Sequence, residues 1–316
     1  MSEANSTHSG LFDSVDARTS LAGSNRMEIL LFTLGTGETF GINVFKVREV
    51  SATPFITPSP NMPAGVEGLI SLRGNVIPVL SLAKIMGLAH VDAELGGSMM
   101  VTEYSKRTLG FLVHDVDRIV RVEWDRVRAP DNVSSHGNNY ITAITELEDG
   151  TLVSIVDVET VLAATFGEAV VGAIHPIHGG HERNVFFVDD STVARRKINE
   201  VLDKLGVKHK HAVNGLEAWN RLDNMATHAE QIGRHVSEEV DVILVDAEMP
   251  EMDGYVLTRR IKTDSRFEGI PVVMHSSLSS QANRAMGKQV GVDVYVAKFD
   301  ADALAETLRP LLARGH

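Results

Sequence analysis

Short runs of alternating apolar and polar residues, separated by turn residues, dominate the first half of the chain. Met27 to Leu34 is followed by Thr39 to Val44 across a turn that contains Gly35 and Gly37. Such paired runs are typical of β-hairpins. Further pairs are 99–104 with 109–113 and 140–147 with 152–156. Many hairpins with little helix predict one closed β-barrel or a pair of barrels. Short helical pieces are predicted at 45–50, 82–86 and 158–164.

From residue 184 onward, short apolar runs alternate with segments of helical periodicity. The run Val242 to Val245 is continuous, as expected of a strand that is buried on both faces of a parallel sheet. Similar runs occur at 185–188, 270–274 and 292–297. Helices are predicted at 193–205, from 215 onward, and at 255–262, 280–290 and 301–312. This alternation predicts an α/β doubly wound domain.

Composition shifts divide the chain further. Residues 1–25 are rich in Ser, Thr, Asn and Ala, so we predict a flexible N-terminal segment, with a short helix on Leu11, Phe12 and Val15 as the alternative. Residues 167–183 contain several Gly and one Pro without periodicity and are interpreted as a linker. The predicted domains are therefore 26–166, all-β, and 184–316, α/β.

Charge and composition exclude several classes of function. The 316-residue chain has a formal net charge of −12 and no cysteine. The negative charge disfavours a general nucleic-acid binder, since phosphate attraction needs clustered Lys and Arg. Disulfides, thiolate catalysis and cysteine zinc sites are excluded. No apolar run approaches the roughly 20 residues that span a bilayer, so we expect no membrane insertion and a cytoplasmic location.

Polar residues follow the apolar runs of the second half. Asp246 comes directly after 242–245, Asp189 and Asp190 after 185–188, and Ser276 and Lys298 near the ends of the other two runs. Ligands of open α/β sheets gather at the carboxyl ends of strands, so these groups should meet. Adjacent carboxylates repel unless a cation lies among them, and Mg²⁺ suits hard oxygen ligands. A carboxylate beside Mg²⁺ can act as a nucleophile toward phosphorus.

This set resembles the receiver domain of two-component response regulators. The resemblance implies that Asp246 accepts a phosphoryl group. It implies that Asp189, Asp190, Asp246 and the backbone carbonyl of Glu248 hold Mg²⁺. Ser276 and Lys298 would contact the phosphoryl group, and Tyr295 would change rotamer with Ser276. Phe299 departs from the family pattern, where most receivers have proline after the lysine.

Two apolar runs flank Arg73-Gly74-Asn75 in the first half. An arginine displayed beside apolar edges is a common interface anchor; the alternative is a plain hairpin turn. The segment resembles the signature of the CheW-like coupling domain, and residues 46–50 resemble the stretch that precedes it. The resemblance implies two small five-stranded barrels, with Val47, Glu49 and Arg73 contacting the chemoreceptor tip and another face docking on the histidine kinase CheA.

A coupling domain followed by a receiver resembles the CheV family of chemotaxis proteins. The resemblance implies an adaptor, recruited to chemoreceptor arrays, that links receptors to CheA and is adjusted by phosphorylation of Asp246. It implies a phosphoacceptor with slow self-dephosphorylation rather than a dedicated enzyme. Two alternatives remain: a phosphate sink that drains phosphoryl groups from CheA, and a constitutive adaptor whose receiver serves only as an interaction surface.

Overall fold

The computed structural model describes residues 26–88, 97–104, 107–128, 140–167, 171–177, 182–276, 281–298 and 300–313. The predictions for residues 1–25 and for Phe299 lie outside this range. The chain divides into two compact units, with the boundary after residue 168. None of the described helices combines the length and the apolar character needed to cross a membrane.

The first unit is built mainly of β-strands. Its elements are β1 (Arg26–Thr33), β2 (Thr39–Asn43), β3 (Val47–Ala52), β4 (Val66–Leu72), β5 (Asn75–Ser81), α1 (Leu82–Ile85), β6 (Ser98–Tyr104), β7 (Arg107–Val113), β8 (Asp115–Glu123), β9 (Val127–Arg128), β10 (Ile141–Glu146), β11 (Leu152–Val156) and α2 (Val158–Phe166). The predicted hairpins β1–β2, β4–β5, β6–β7 and β10–β11 are confirmed as antiparallel pairs.

Within the described part of this unit, the strands form two sheets. One has the order β8-β1-β2-β11-β10-β9, and the other β3-β6-β7-β5-β4. Each sheet covers its own apolar core, with Ile29 and Leu31 in the first and Val79 and Met99 in the second. The all-β fold is confirmed. The first sheet has a sixth strand because the two-residue β9 pairs with the edge of β10.

The prediction of a helix at 45–50 was wrong for most of its length. Only Val44–Lys46 forms a single 3-10 turn, and the chain then enters β3. Pairing explains the difference, since Val50 lies opposite Met100 in an antiparallel ladder with β6. Strand preference depends strongly on such neighbours, which local periodicity does not show.

The second unit alternates strands and helices as predicted. Its elements are β12 (Asn184–Val188), α3 (Thr192–Leu205), β13 (Lys208–Ala212), α4 (Gly215–Gln231), β14 (Val242–Asp246), α5 (Gly254–Thr263), β15 (Val272–Ser276), α6 (Gln281–Val290), β16 (Val294–Ala297) and α7 (Ala301–Leu312). The sheet order is β13-β12-β14-β15-β16, and all neighbours are parallel. All five residues of β14 and of β15 are buried, because helices cover both faces.

Residues 171–177, within the predicted linker, pack on the second unit. They have no regular secondary structure, yet Val171 is 3% exposed and belongs to the core between the sheet and helices α3 and α7. The Lys204 ammonium donates to the Val171 carbonyl at 2.7 Å, and the Ile177 amide donates to the Leu205 carbonyl at 2.9 Å. This segment, which we call the strap, is therefore part of the second unit rather than a free spacer.

Candidate functional site

The carboxyl ends of four parallel strands bring the candidate residues of the second unit together. Asp189 follows β12, Asp246 ends β14, Ser276 ends β15 and Lys298 follows β16. Their exposures are 0%, 3%, 0% and 4% respectively. Charged side chains are rarely buried to this degree without partners, so their contacts decide what the site can do.

Lys298 joins two of the buried carboxylates. Its ammonium lies 2.7 Å from Asp246 Oδ2 and 2.9 Å from Asp189 Oδ2. Carboxylate oxygens of Asp189, Asp190 and Asp246 also lie within 4.8 Å of one another. Three carboxylates thus lie close together, and Lys298 is bound to two of them. Such a set of hard, negatively charged oxygen donors fits Mg²⁺, which binds through one or two carboxylates and keeps several waters.

Neighbouring backbone groups hold the acidic residues in place. The Ser191 amide donates to Asp189 Oδ1 at 3.0 Å, at the start of α3, where Ser191 is the N-cap. Arg195 donates to the backbone carbonyls of Asp189 and Asp190, each at 2.8 Å. The Lys298 amide donates to the Ser276 carbonyl at 2.9 Å, which ties the lysine to the adjacent strand end. The site therefore lies on fixed elements, as catalysis by positioning requires.

The loop after Asp246 returns close to its own strand. A Cβ at Gly254 would lie 1.9 Å from the Asp246 carbonyl oxygen, so only glycine allows this approach. Asp253 caps α5 by accepting from the Val256 amide at 2.8 Å. Burial raises the pKa of Asp253 to about 6, against the lowering effect of its backbone hydrogen bonds. The same packing that positions Asp246 thus carries an electrostatic cost at neutral pH.

Tyr295 on β16 lies between polar groups of the site and an outer helix. Its hydroxyl interacts with Ser276 and with Tyr255, and the Arg284 guanidinium of α6 lies 5.4 Å from its ring centroid. Burial raises the pKa of Tyr295, and also that of Tyr255. Both phenols therefore stay protonated at neutral pH and can donate hydrogen bonds.

The candidate residues of the first unit meet at one sheet. Arg73 forms an ion pair with Glu49. This pair joins the turn after edge strand β4 to the opposite edge strand, β3. Arg73 and Gly74 have φ values of 49° and 84°, the signs that a type I′ hairpin requires at both central positions. A non-glycine residue there is uncommon. Val47 is 3% exposed and lies in the core.

The sequence pattern predicts that the residues of the acidic site lie together, but it does not predict the residues that orient them. The sequence pattern places Arg195 and Tyr255 only within helices and marks Gly254 only as a turn residue. An arginine or tyrosine on a helix carries no local signal for such a role, because its partner comes from another strand. For Gly254 the signal was present, since it follows Asp253 at a strong N-cap position.

Comparison with protein-family models matches both units. Residues 28–166 match the CheW-like domain, and residues 185–309 match the response regulator receiver domain. Over 277 residues the chain is 31% identical to the chemotaxis protein CheV3 of Helicobacter pylori, covering 86% of this chain and 88% of the relative. The chain belongs to the CheV family. A second CheV protein of the same organism, CheV1, is 28% identical over 323 residues, covering 94% of this chain and 97% of the relative.

This CheV-family chain is thus a chemotaxis adaptor that carries a response-regulator domain, and its CheW-like domain places it among the coupling proteins of chemoreceptor complexes. Among solved structures, the scaffolding protein TtCheW of Thermoanaerobacter tengcongensis is similar at 24% identity and a TM-score of 0.40, covering 45% of this chain and 90% of that one. The Vibrio cholerae chemotaxis protein CheY4 is similar at 27% identity and a TM-score of 0.36, covering 42% and 100%.

Proposed function

We propose that this adaptor couples chemoreceptors to the histidine kinase CheA, and that phosphorylation of Asp246 modulates the coupling. One observation carries the proposal: the buried Asp246 carboxylate lies in a cluster with buried Asp189 and half-buried Asp190 and is bound by Lys298 at 2.7 Å. A purely structural ion pair would need no third carboxylate, and excess buried negative charge costs stability. The arrangement suits a carboxylate that must react while a cation offsets its charge.

The chemistry follows from the positions of the side chains. An Asp246 oxygen attacks the phosphorus of a phosphohistidine on CheA, the phosphorus–nitrogen bond breaks, and the imidazole takes up a proton. The Lys298 ammonium, already at Asp246 Oδ2, binds an oxygen of the transferred group, and the Ser276 hydroxyl binds another. Attack by water on the acyl phosphate later releases inorganic phosphate and restores the carboxylate. The chain is then a phosphoacceptor with slow self-dephosphorylation and not a dedicated enzyme.

Asp189, Asp190, Asp246 and the backbone carbonyl of Glu248 would hold Mg²⁺ in this proposal. Bound Mg²⁺ would offset the charge on the phosphoryl oxygens in the transition state. Lys298 contributes a second positive charge from the carboxyl end of β16. Asp189 is fixed by the Ser191 amide, so the metal ligands need little reorganisation.

For the coupling domain, we propose that Glu49 and Arg73 contact the chemoreceptor tip. Their ion pair holds the guanidinium on a turn whose neighbour Val76 is 68% exposed, so an arginine lies beside apolar surface, as at many interfaces. Val47 is buried, and we assign it the narrower role of positioning β3. Another face of the domain would dock on CheA, and the protein would then work in the cytoplasm at receptor arrays.

Intact mass tests the phosphoacceptor. The natural chain and Asp246→Asn are incubated with acetyl phosphate and Mg²⁺, and separately with phosphorylated CheA. We expect a phosphoryl adduct on the natural chain alone, abolished when EDTA removes Mg²⁺. An adduct of equal yield on Asp246→Asn, or no adduct on the natural chain from either donor, contradicts the proposal.

A further inference from the structure

Tyr255, near the start of α5, carries a polar group that the proposed chemistry does not use. The residue is 5% exposed and packs with Ala247, Met274 and Val290 beside the site. Its hydroxyl is buried and makes no hydrogen bond of ordinary geometry to any described residue. Buried hydroxyls are nearly always paired, so an exception calls for a reason.

The nearest explanation is Tyr295. Tyr255 and Tyr295 pack in the same cluster, and the Tyr255 hydroxyl interacts with the Tyr295 oxygen as donor, although the contact falls short of a well-formed hydrogen bond. Tyr295 also interacts with the Ser276 hydroxyl. The Tyr295 hydroxyl therefore lies between two partners, one at the reactive site and one buried beside it.

The surroundings of the Tyr295 ring allow a small displacement. Tyr295 is only partly buried, and one contact of its ring is the exposed Arg284 guanidinium. On α6, a Cβ at Gly287 would lie 3.6 Å from the ring, so glycine leaves space there. A shift of the ring toward Tyr255 would complete the hydrogen bond that is now imperfect.

We propose that Tyr255 is a positioning residue, whose buried hydroxyl binds Tyr295 and holds its ring inward when Ser276 turns to the phosphoryl group on Asp246. This inference rests on the proposed function. Before phosphorylation, Ser276 and Tyr255 share Tyr295. Afterwards Ser276 is engaged by the phosphoryl oxygens, and Tyr255 alone provides the inner partner. The cost of the poorly paired hydroxyl in the resting state is then recovered in the phosphorylated state.

The test uses the full chain with 3-fluorotyrosine at position 295, in the natural background and in Tyr255→Phe. Phenylalanine keeps the ring and its apolar packing and removes only the hydroxyl; Tyr140→Phe, in the other unit, is the matched control. Fluorine NMR with a soluble paramagnetic chelate measures how far the label is shielded, before and after incubation with acetyl phosphate and Mg²⁺. Intact mass of the same samples gives the adduct yield.

We expect phosphorylation to shield the label in the natural chain and in Tyr140→Phe. In Tyr255→Phe we expect the population with the Tyr295 ring inward to be about 2- to 10-fold lower, as loss of one hydrogen bond implies. The adduct yield should stay within about 2-fold, and Tyr255→Phe should be at least as stable before phosphorylation. If the label is shielded equally in Tyr255→Phe and in the natural chain at equal adduct yield, the role of Tyr255 is overturned and the proposed function is not. Absence of an adduct on the natural chain, with phosphorylated CheA as donor as well, overturns both this inference and the proposed function.

Discussion

At the residue scale, Lys298 places a positive charge in direct contact with two buried carboxylates of the site, those of Asp189 and Asp246. Its ammonium offsets part of their repulsion, which otherwise raises the pKa values of adjacent carboxylates. Removing one partner of a buried ion pair costs more than the pair contributes, since the remaining charge is left uncompensated. The site is therefore sensitive to this one side chain both in stability and in cation binding.

We expect Lys298→Met to lower the free energy of unfolding by about 3–5 kcal/mol in Mg²⁺-free buffer at pH 8, the usual cost of breaking a buried pair. Mg²⁺ should then recover part of the loss, so the metal raises the melting temperature more in the variant than in the natural chain. Calorimetric melting with and without Mg²⁺ measures this. Lys210→Met, at an exposed position of edge strand β13, is the control, and equal Mg²⁺ stabilisation in all three chains contradicts the expectation.

Asp253 makes the free energy of unfolding change with pH in the direction opposite to that of an ion-paired carboxylate. Because its pKa rises to about 6 in the fold from 3.8, the folded state binds its proton more tightly than the unfolded state. Its contribution to stability is full below pH 4 and is lost as the pH rises through 6, with a total of about 3 kcal/mol. Asp253→Asn keeps a capping oxygen and removes the charge.

We expect Asp253→Asn to be more stable than the natural chain at pH 8 and to lose that advantage at pH 4. Urea unfolding across this pH range measures the difference. Asp264→Asn is the contrast, since hydrogen bonding to Arg266 lowers the pKa of Asp264, and that variant should lose stability at pH 8. A pH-independent difference for Asp253→Asn removes the electrostatic explanation.

At the element scale, the sequence pattern predicts those helices and strands whose structure is decided by their own residues. The buried run of β14 and the strong N-caps of α3 and α5 are local signals, and both helices were predicted. Strand β13 was not, because Lys208–Ala212 is mostly polar and lies at the sheet edge, where only one neighbour, β12, defines it. The β3 segment was misread for the same reason, since β6 decides its structure.

The strap is the other element that local pattern missed. Its glycine and proline are typical of a linker, but Val171 fills a core position against α3 and α7. We expect Val171→Ala to lower the free energy of unfolding by about 1–2 kcal/mol, because it removes two buried methyl groups. Hydrogen exchange in peptides covering 171–177 and α7 should then accelerate by about 5- to 30-fold if exchange occurs through the corresponding opening.

Val213→Ala is the control for the strap, because Val213 is 40% exposed and its truncation leaves no cavity. Exchange in α7 should be unchanged in that variant. Equal exchange in the Val171→Ala and Val213→Ala chains contradicts a packed strap and restores the interpretation of a free linker. The outcome decides how much chain remains between the two units to act as a spacer.

At the scale of the whole molecule, a CheW-like domain is followed by a receiver domain, and we propose that phosphorylation of the receiver modulates the coupling. The order of the two domains and the acidic set were predictable from the sequence, because both depend on motifs of fixed spacing. The ion pair of Glu49 with Arg73 and the contact of Tyr255 with Tyr295 were not, because residues 24 and 40 positions apart meet only in the fold. Neither contact has a local pattern that could reveal it.

A kinase assay in reconstituted complexes of chemoreceptor, CheA and this chain tests the central claim most directly. CheA activity and its response to receptor ligand are measured before and after acetyl phosphate with Mg²⁺, for the natural chain and for Asp246→Asn, with adduct yield followed by intact mass. We expect receptor control of CheA to change with the adduct in the natural chain only. Unchanged control at full adduct yield contradicts modulation by Asp246 and leaves a phosphate sink or a constitutive adaptor.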